Sequence, residues 1–226
     1  DPAERARVKT LLATSHLTVG YGAQPCLLSQ KLNLNHFDEA ERFLVYTTSA
    51  SDTAATGAWV RELDGAAGAT QPYALASGRG SYKLLTLDRK GSQVAFVSNR
   101  GEKAEKDAPY SLYYATLAKG QQQPARRAVS SGSVGKDVVI ADRGRMDFVR
   151  EGTALQFALA PVVAPEIPAD SLADKAIYDL WHWQDTKIQP QQRVDAPRDR
   201  NRTWTAVFIP SSGRWTRLGT DSLTQV

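Results

Sequence analysis

The feature that most constrains this chain is a strand-turn-strand unit written three times. Phe37-Asp-Glu-Ala-Glu-Arg-Phe-Leu-Val-Tyr46 aligns with Leu87-Asp-Arg-Lys-Gly-Ser-Gln-Val-Ala-Phe96 and with Phe148-Val-Arg-Glu-Gly-Thr-Ala-Leu-Gln-Phe157. Each copy sets an apolar residue ahead of a polar turn rich in charge or glycine, then a strand that closes on an aromatic. The copies start 50 and 61 residues apart. The leading apolar residue plugs a core, the turn reverses the chain, and the strand after it enters a sheet.

A second element follows each copy. Ala58-Trp-Val-Arg-Glu-Leu-Asp-Gly65 corresponds to Leu112-Tyr-Tyr-Ala-Thr-Leu-Ala-Lys-Gly120 and to Thr203-Trp-Thr-Ala-Val-Phe-Ile-Pro-Ser-Ser-Gly213. A short apolar strand comes next each time: Pro72 to Leu75, Arg127 to Val129, and Trp215 to Leu218. The unit is a meander of about four antiparallel strands, which is the pattern of a propeller blade. A sandwich or barrel also has many short strands but rarely repeats one strand-turn-strand composition at such spacing. A solenoid fits less well, because the unequal intervals tolerate large insertions. The expectation is all-β: a β-propeller or partial propeller of four-stranded antiparallel blades.

The chain has 226 residues. Blades take about 40–50 residues and closed rings about 4–8 blades. Three blades and pieces of a fourth are therefore expected, in an unusually small ring or in a segment of a larger one. An arc would leave strand edges open, a route to a homo-oligomer. Residues 35–226 read as three to four blades of a single propeller domain, incomplete as a ring on that count, and residues 1–34 as an N-terminal segment with a degenerate or incomplete blade. Within the latter, a short helix is expected over the first fifteen residues, capped by Asp1, with Pro2 at its first position, Glu4 three after the cap, and Leu11 and Leu12 on a docking face. The opening Asp-Pro lacks an initiator methionine, so a processed, excised or trimmed chain is expected.

Composition narrows the function classes. Hydrophobic residues make up 42% and charged residues 23%, an ordinary globular balance. No run of 18 apolar residues occurs, so a membrane-spanning helix is not expected. The single cysteine, Cys26, cannot form an internal disulfide or a Cys-rich zinc site. The formal charge of +4 is too mild to suggest a nucleic-acid partner.

The residues that could carry chemistry do not converge. The Gly-x-Ser-x-Gly elbow of α/β-type serine hydrolases is missing: Ser81, in Gly78-Arg-Gly-Ser-Tyr82, lies in a turn between strands, and Ser133, in Ser131-Gly-Ser-Val-Gly135, misses the spacing. His16, His36 and His182 lack a metal-site partner at helical spacing. His36 reads as a turn or packing residue. In Asp179-Leu-Trp-His-Trp-Gln-Asp185 a strand would put Trp181 and Trp183 on one face and His182 on the other, the tryptophans packing a core. The adjacent carboxylates Asp38 and Glu39 would point apart in a strand and do not make a glycosidase pair. Lys187, Arg193, Arg198, Arg200 and Arg202 face Asp185, Asp195 and Asp199, which reads as a solvated, ion-paired rim rather than a nucleic-acid surface. The stretch through Pro161, Pro165 and Pro168 reads as a long loop. No catalytic, cofactor-binding or metal-ligating residue is assigned, and no cofactor is expected.

These motifs do resemble a known family. Gly80-Ser-Tyr82, Leu87-Asp88-x-x-Gly91, Val94-Ala-Phe-Val-Ser-Asn-Arg100 and Tyr110-Ser-Leu-Tyr113 resemble the propeller of bacterial prolyl oligopeptidase family (S9) serine peptidases. Asp179-Leu-Trp-His-Trp-Gln-Asp185, Gln189-Pro-Gln191 and Arg200-Asn-Arg202 do so more particularly, while Val-Ala-Phe-Val-Ser-Asn-Arg is shared with TolB-like and WD40-like propellers. The resemblance spans about residues 35–226. Before Phe37 the chain departs from the pattern, with the strands expected there compressed into roughly Pro25–Asn35. The resemblance implies a parent enzyme in which a propeller gates short peptides toward a C-terminal α/β-hydrolase domain. That domain would carry serine, aspartate and histidine in this chain order, and none of the three carries over to a residue here. On this reading the chain alone is not an enzyme. Its partners are the hydrolase domain and, for the parent, short peptides, with no nucleic acid and no membrane span. The periplasm or secretion is the implied location, with the cytoplasm as the alternative. The competing expectation is a free-standing WD40- or TolB-like module that binds a protein partner.

Overall fold

The structure is a computed structural model that describes residues 31–40, 42–49, 53–64, 68–69, 71–101, 108–162, 182–185 and 187–220. The expected N-terminal helix, His16, Cys26 and Asp179 to Trp181 lie outside these residues, as does the proline run at Pro165 and Pro168. Among the described residues, no helix is long and apolar enough to cross a membrane.

The strands form three antiparallel sheets in chain order. The first runs β1 (Lys31–Phe37), β2 (Phe43–Ser49) and β3 (Gly57–Asp64). The outer side of β3 is shared by β4 (Gly68–Ala69) and β5 (Tyr73–Ser77). The second is an unbroken meander of β6 (Tyr82–Leu87), β7 (Gln93–Ser98), β8 (Ser111–Thr116) and β9 (Arg126–Val129). In the third, β10 (Val138–Ile140) and β11 (Asp147–Val149) pair with the two ends of β12 (Ala154–Pro161), and β13 (Trp204–Ile209) and β14 (Arg214–Arg217) follow. The three sequence copies fall on β1-turn-β2, β6-turn-β7 and β11-turn-β12. Strand β1 starts at Lys31, so the boundary expected after residue 34 falls within it.

Side-chain alternation explains why the middle sheet reads as nearly continuous apolar runs. On β7, Val94 and Phe96 join the core shared with the first sheet, whereas Ala95 and Val97 join the core shared with the third. On β8, Tyr113 and Ala115 take the first side and Leu112 and Tyr114 the second. Both faces are buried, so there is no polar face for the period of two to reveal. Phe96 stacks on its cross-strand partner Tyr113 at 5.4 Å between centroids, and Tyr82 leans on Phe96 at 6.0 Å. The sheets thus stack face to face, with β6 beside β1 and β2 on one side and β11 on the other.

The repeated turns are built around buried aspartates. Asp38 is 3% and Asp88 2% exposed. Asp38 Oδ1 accepts the backbone N–H groups of Arg42 and Phe43, and Asp88 Oδ1 accepts those of Ser92 and Gln93. One carboxylate oxygen therefore holds two amides of the reversing chain, which no other strand could reach there. Asp38 and Glu39 thus lie in the polar turn that the repeat reading expected, not in the strand considered for a carboxylate pair, with Asp38 inside and Glu39 outside, where it pairs with Arg89 at 3.1 Å. Successive turns also touch. Arg42 donates through Nη2 to the Lys90 carbonyl, Gln93 Nε2 donates to the Gly152 carbonyl at 3.1 Å, and Lys90 pairs with Glu151 at 3.0 Å.

The long loop expected before Trp204 is corrected in part. A helix, α1 (Gln189–Arg200), occupies its second half. Pro190 fits in the first turn, where no amide donor is required, and Arg198 and Arg200 sit in the last turn, where cations oppose the helix dipole. Pro197 lies inside the helix and removes one of its hydrogen bonds. None of its residues is buried.

Candidate functional site

Among the described residues a polar cluster lies where the second sheet meets the third. It consists of Lys83 on β6, Tyr110 just before β8, and Asp142 and Arg143 in the loop after β10. A bulge lies beside it. Lys83 pairs with Val97, but the next pair along β6 is Thr86 with Ala95, so β6 spends one residue more than β7. Leu84 takes up the excess with φ at 51°, a left-handed conformation that a leucine adopts at a cost.

The consequence is a change of face. Tyr82 and Leu85 enter the core shared with the first sheet, while Leu84 packs on the core shared with the third. Lys83 turns the same way as Leu84 and its Nζ lies 2.5 Å from Asp142 Oδ2. The ammonium also sits 5.3 Å from the centre of the Tyr110 ring, within cation–π range. Arg143 Nη1 approaches Asp142 Oδ1 from the far side at 3.5 Å, and its Nη2 donates to the Arg200 carbonyl at the end of α1 at 2.9 Å. Arg143 Nε is buried with no hydrogen-bond partner among the described residues.

Two cations thus share one carboxylate. For Asp142, burial pushes the carboxyl up, but the Lys83 hydrogen bond and the Lys83 and Arg143 charges outweigh it, holding it below its ordinary value. For Lys83, burial pulls the ammonium down, but its bond to Asp142, with Tyr110 and the Asp142 charge, raises it above its ordinary value. Both groups stay charged at neutral pH. The side chains of Lys83, Asp142 and Arg143 are 42%, 29% and 40% exposed, so solvent and solutes reach all three. Such an arrangement can bind an anion.

The sequence candidates are dispersed. Ser81 donates its backbone N–H to Asn99 Oδ1 at 2.7 Å in the bend before β6, and the Ser133 hydroxyl donates to the Ser130 carbonyl at 2.7 Å. His36 lies on β1 opposite Val45 and is exposed. His182 and Trp183 are corrected: they occupy a turn, not a strand, and Trp183 is 75% exposed instead of packing a core. The expected ion pairing before Trp204 is present, with Lys187 Nζ 2.8 Å from Asp195 and 3.4 Å from Asp199, and Arg198 3.0 Å from Asp195. Among the described residues no group of three or more His, Cys, Asp or Glu side chains could hold a metal ion. Sequence reasoning missed the Lys83 cluster. Its one local signal is Tyr82-Lys-Leu-Leu-Thr-Leu87, where two adjacent leucines break the alternation of a strand.

No family model and no curated protein matches the chain. Among solved structures, the chain is similar to an AtxE2 isopeptidase variant with Astexin3-dC4 bound, at 10% identity and a TM-score of 0.43. The match covers 84% of this chain and 29% of that one, so the chain spans under a third of that protein's length.

Proposed function

We propose that this chain is the non-catalytic β-propeller segment of a prolyl oligopeptidase family serine peptidase. Its meanders are three blades of that propeller and limit access to an α/β-hydrolase domain to short peptides. The observation that carries the reading is the arrangement of the sheets. Three meanders follow in chain order, stack face to face, and bring β6 beside both β1 and β11, as blades do around a shared axis. The family motifs quoted above supply the rest of the support. A propeller mouth excludes folded proteins by size, so the selection is steric and the chemistry belongs to the hydrolase domain.

The test is the native polypeptide that contains these residues, identified by its peptides and weighed intact. A longer product carrying a Gly-x-Ser-x-Gly elbow supports the proposal; a product without a hydrolase domain overturns it. Residues 1–226 alone should neither cleave chromogenic peptides nor accept a serine-directed fluorophosphonate, and stoichiometric labelling would also overturn it.

A second reading, an interaction module that binds a protein partner, is favoured by one observation. Trp183, Ile188 and Val194 are large, apolar and exposed around a helix that buries none of its residues. Under either reading this segment is the first place to seek a protein contact.

A further inference from the structure

We propose that Lys83 and Arg143, bracketing Asp142 beside the ring of Tyr110, form a carboxylate-binding subsite, and that its ligand is the C-terminal carboxylate of a short peptide. The peptide as the source of that carboxylate rests on the gating reading above; the preference for a carboxylate does not.

Charge and geometry carry the argument. The cluster holds two cations and one anion, so one positive charge is in excess at the junction of two sheets. Asp142 satisfies the two cations unequally: its contact with Lys83 is tight at 2.5 Å, and that with Arg143 is loose at 3.5 Å. Arg143 has one N–H, on Nε, with no acceptor among the described residues, although a guanidinium is built to grip a carboxylate with two parallel bonds. Stability alone is a poor reason for the arrangement. Ion pairs this exposed contribute little once water screens them and long side chains are ordered. Lys83 faces this loop through its regular pairing with Val97, whose side chain lies in the core shared with the third sheet. The bulge beside it turns Leu84, at positive φ, onto the same core.

In the ligand-free state Asp142 acts as an internal stand-in for the incoming carboxylate. The ligand takes the Lys83 ammonium from Asp142, and Arg143 swings its fork from the loose contact onto the ligand. No bond forms or breaks, and the total charge of the site with its ligand becomes zero. The Tyr110 face supplies a wall for the aliphatic part of the last residue.

The experiment uses calorimetric titration of the 226-residue chain with N-acetylglycine, with its amide, and with an unrelated tetrapeptide as free acid and as C-terminal amide. The expected result is binding of the acids and a loss of about tenfold or more for the amides, the worth of a hydrogen bond between charged groups. Lys83→Gln and Arg143→Gln should each weaken the acids by a similar factor and leave the amides unchanged. Asp142→Asn is the discriminating variant: removing the internal competitor should tighten the acids several-fold, whereas a merely structural ion pair predicts no gain. Circular dichroism confirms that each variant is folded. Equal binding of acids and amides, or weaker binding of the acids by Asp142→Asn, overturns the subsite. If N-acetylglycine binds as expected but the tetrapeptide acid binds no better, the carboxylate site stands and the peptide source fails.

Discussion

Gly91, in the turn of the second sheet, lies so close to Asp38, in the turn of the first, that a Cβ on the glycine would fall 2.5 Å from the aspartate Cβ. The same relationship recurs one sheet later, where a Cβ on Gly152 would overlap Gln93 Nε2 and lie 3.3 Å from Asp88 Oδ2. Each glycine also has a positive φ, 65° at Gly91 and 89° at Gly152. Glycine is thus required twice over, by backbone conformation and by the side chain against which it packs.

Replacing that glycine tests the contact. Gly91→Ala should cost about 2–4 kcal/mol, combining a left-handed alanine with overlap on a buried side chain. Gly213 is the control, with φ at 68° and nothing within 4 Å of its notional Cβ. Gly213→Ala should cost only about 1 kcal/mol. Urea unfolding of the two variants measures the difference; equal losses would show that the contact with Asp38 contributes nothing.

The buried aspartate should matter through its acceptors. Asp88 accepts from the Ser92 N–H at 2.6 Å, the Gln93 N–H at 2.7 Å and the Ser92 hydroxyl at 2.8 Å. Asp88→Ala orphans two part-buried amides and should cost about 2–4 kcal/mol. Asp88→Asn keeps an oxygen for both amides and should lose about half as much. A reversal of that order in denaturant midpoints would count against the assignment.

The Lys83–Asp142 pair gives a stability term with a definite sign. Asp142 titrates below the ordinary 3.8 in the folded chain, so its contribution is present above 3.8 and lost as pH falls through the lower, folded value. The stability advantage of the wild type over Asp142→Asn should therefore hold near neutral pH and vanish in strong acid. Thermal melts across that range measure it, and an advantage that grows toward acid would contradict the pairing.

Tyr82 offers the matching experiment in base. Its hydroxyl donates to the Gly78 carbonyl at 3.1 Å, and burial, only partly offset by Arg100, pushes the phenol up to about 12. The neutral form is favoured on folding, so this contribution is complete below pH 10.0 and lost as the pH rises toward 12. Burial also raises Tyr46, Tyr73 and Tyr114, so ultraviolet titration should show late phenolate components whose amplitude falls in Tyr82→Phe. A late amplitude of unchanged size in the variant would contradict the assignment.

Much of the fold was legible because its strands follow chain order. Phe37, Leu87 and Phe148 open the three copies, and the strands after them pair with sequence neighbours, so local pattern and tertiary pairing agree. Helix α1 was not legible. Its Gln-Pro-Gln-Gln and Pro-Arg-Asp-Arg stretches lack an apolar stripe, and it forms without burying a side chain, so periodicity had nothing to register. Trp183 misled for the converse reason, since a tryptophan between polar residues reads as core when it is in fact exposed. The site was hidden by sequence separation, since Lys83 and Asp142 lie 59 residues apart. Alternation from Tyr82 turns Lys83 toward the third sheet, but nothing local names the loop it meets there.

The turns also carry an order of succession. Glu41 stands where the second and third copies have Gly91 and Gly152, and Val149 stands where the first and second have Asp38 and Asp88. The first copy therefore offers a carboxylate without the matching glycine, the middle copy has both, and the last has the glycine alone. The three turn sequences are therefore not interchangeable. Exchanging the first and third turn sequences would set valine against Gly91 and glutamate against Asp88, so the copies hold fixed places in a queue.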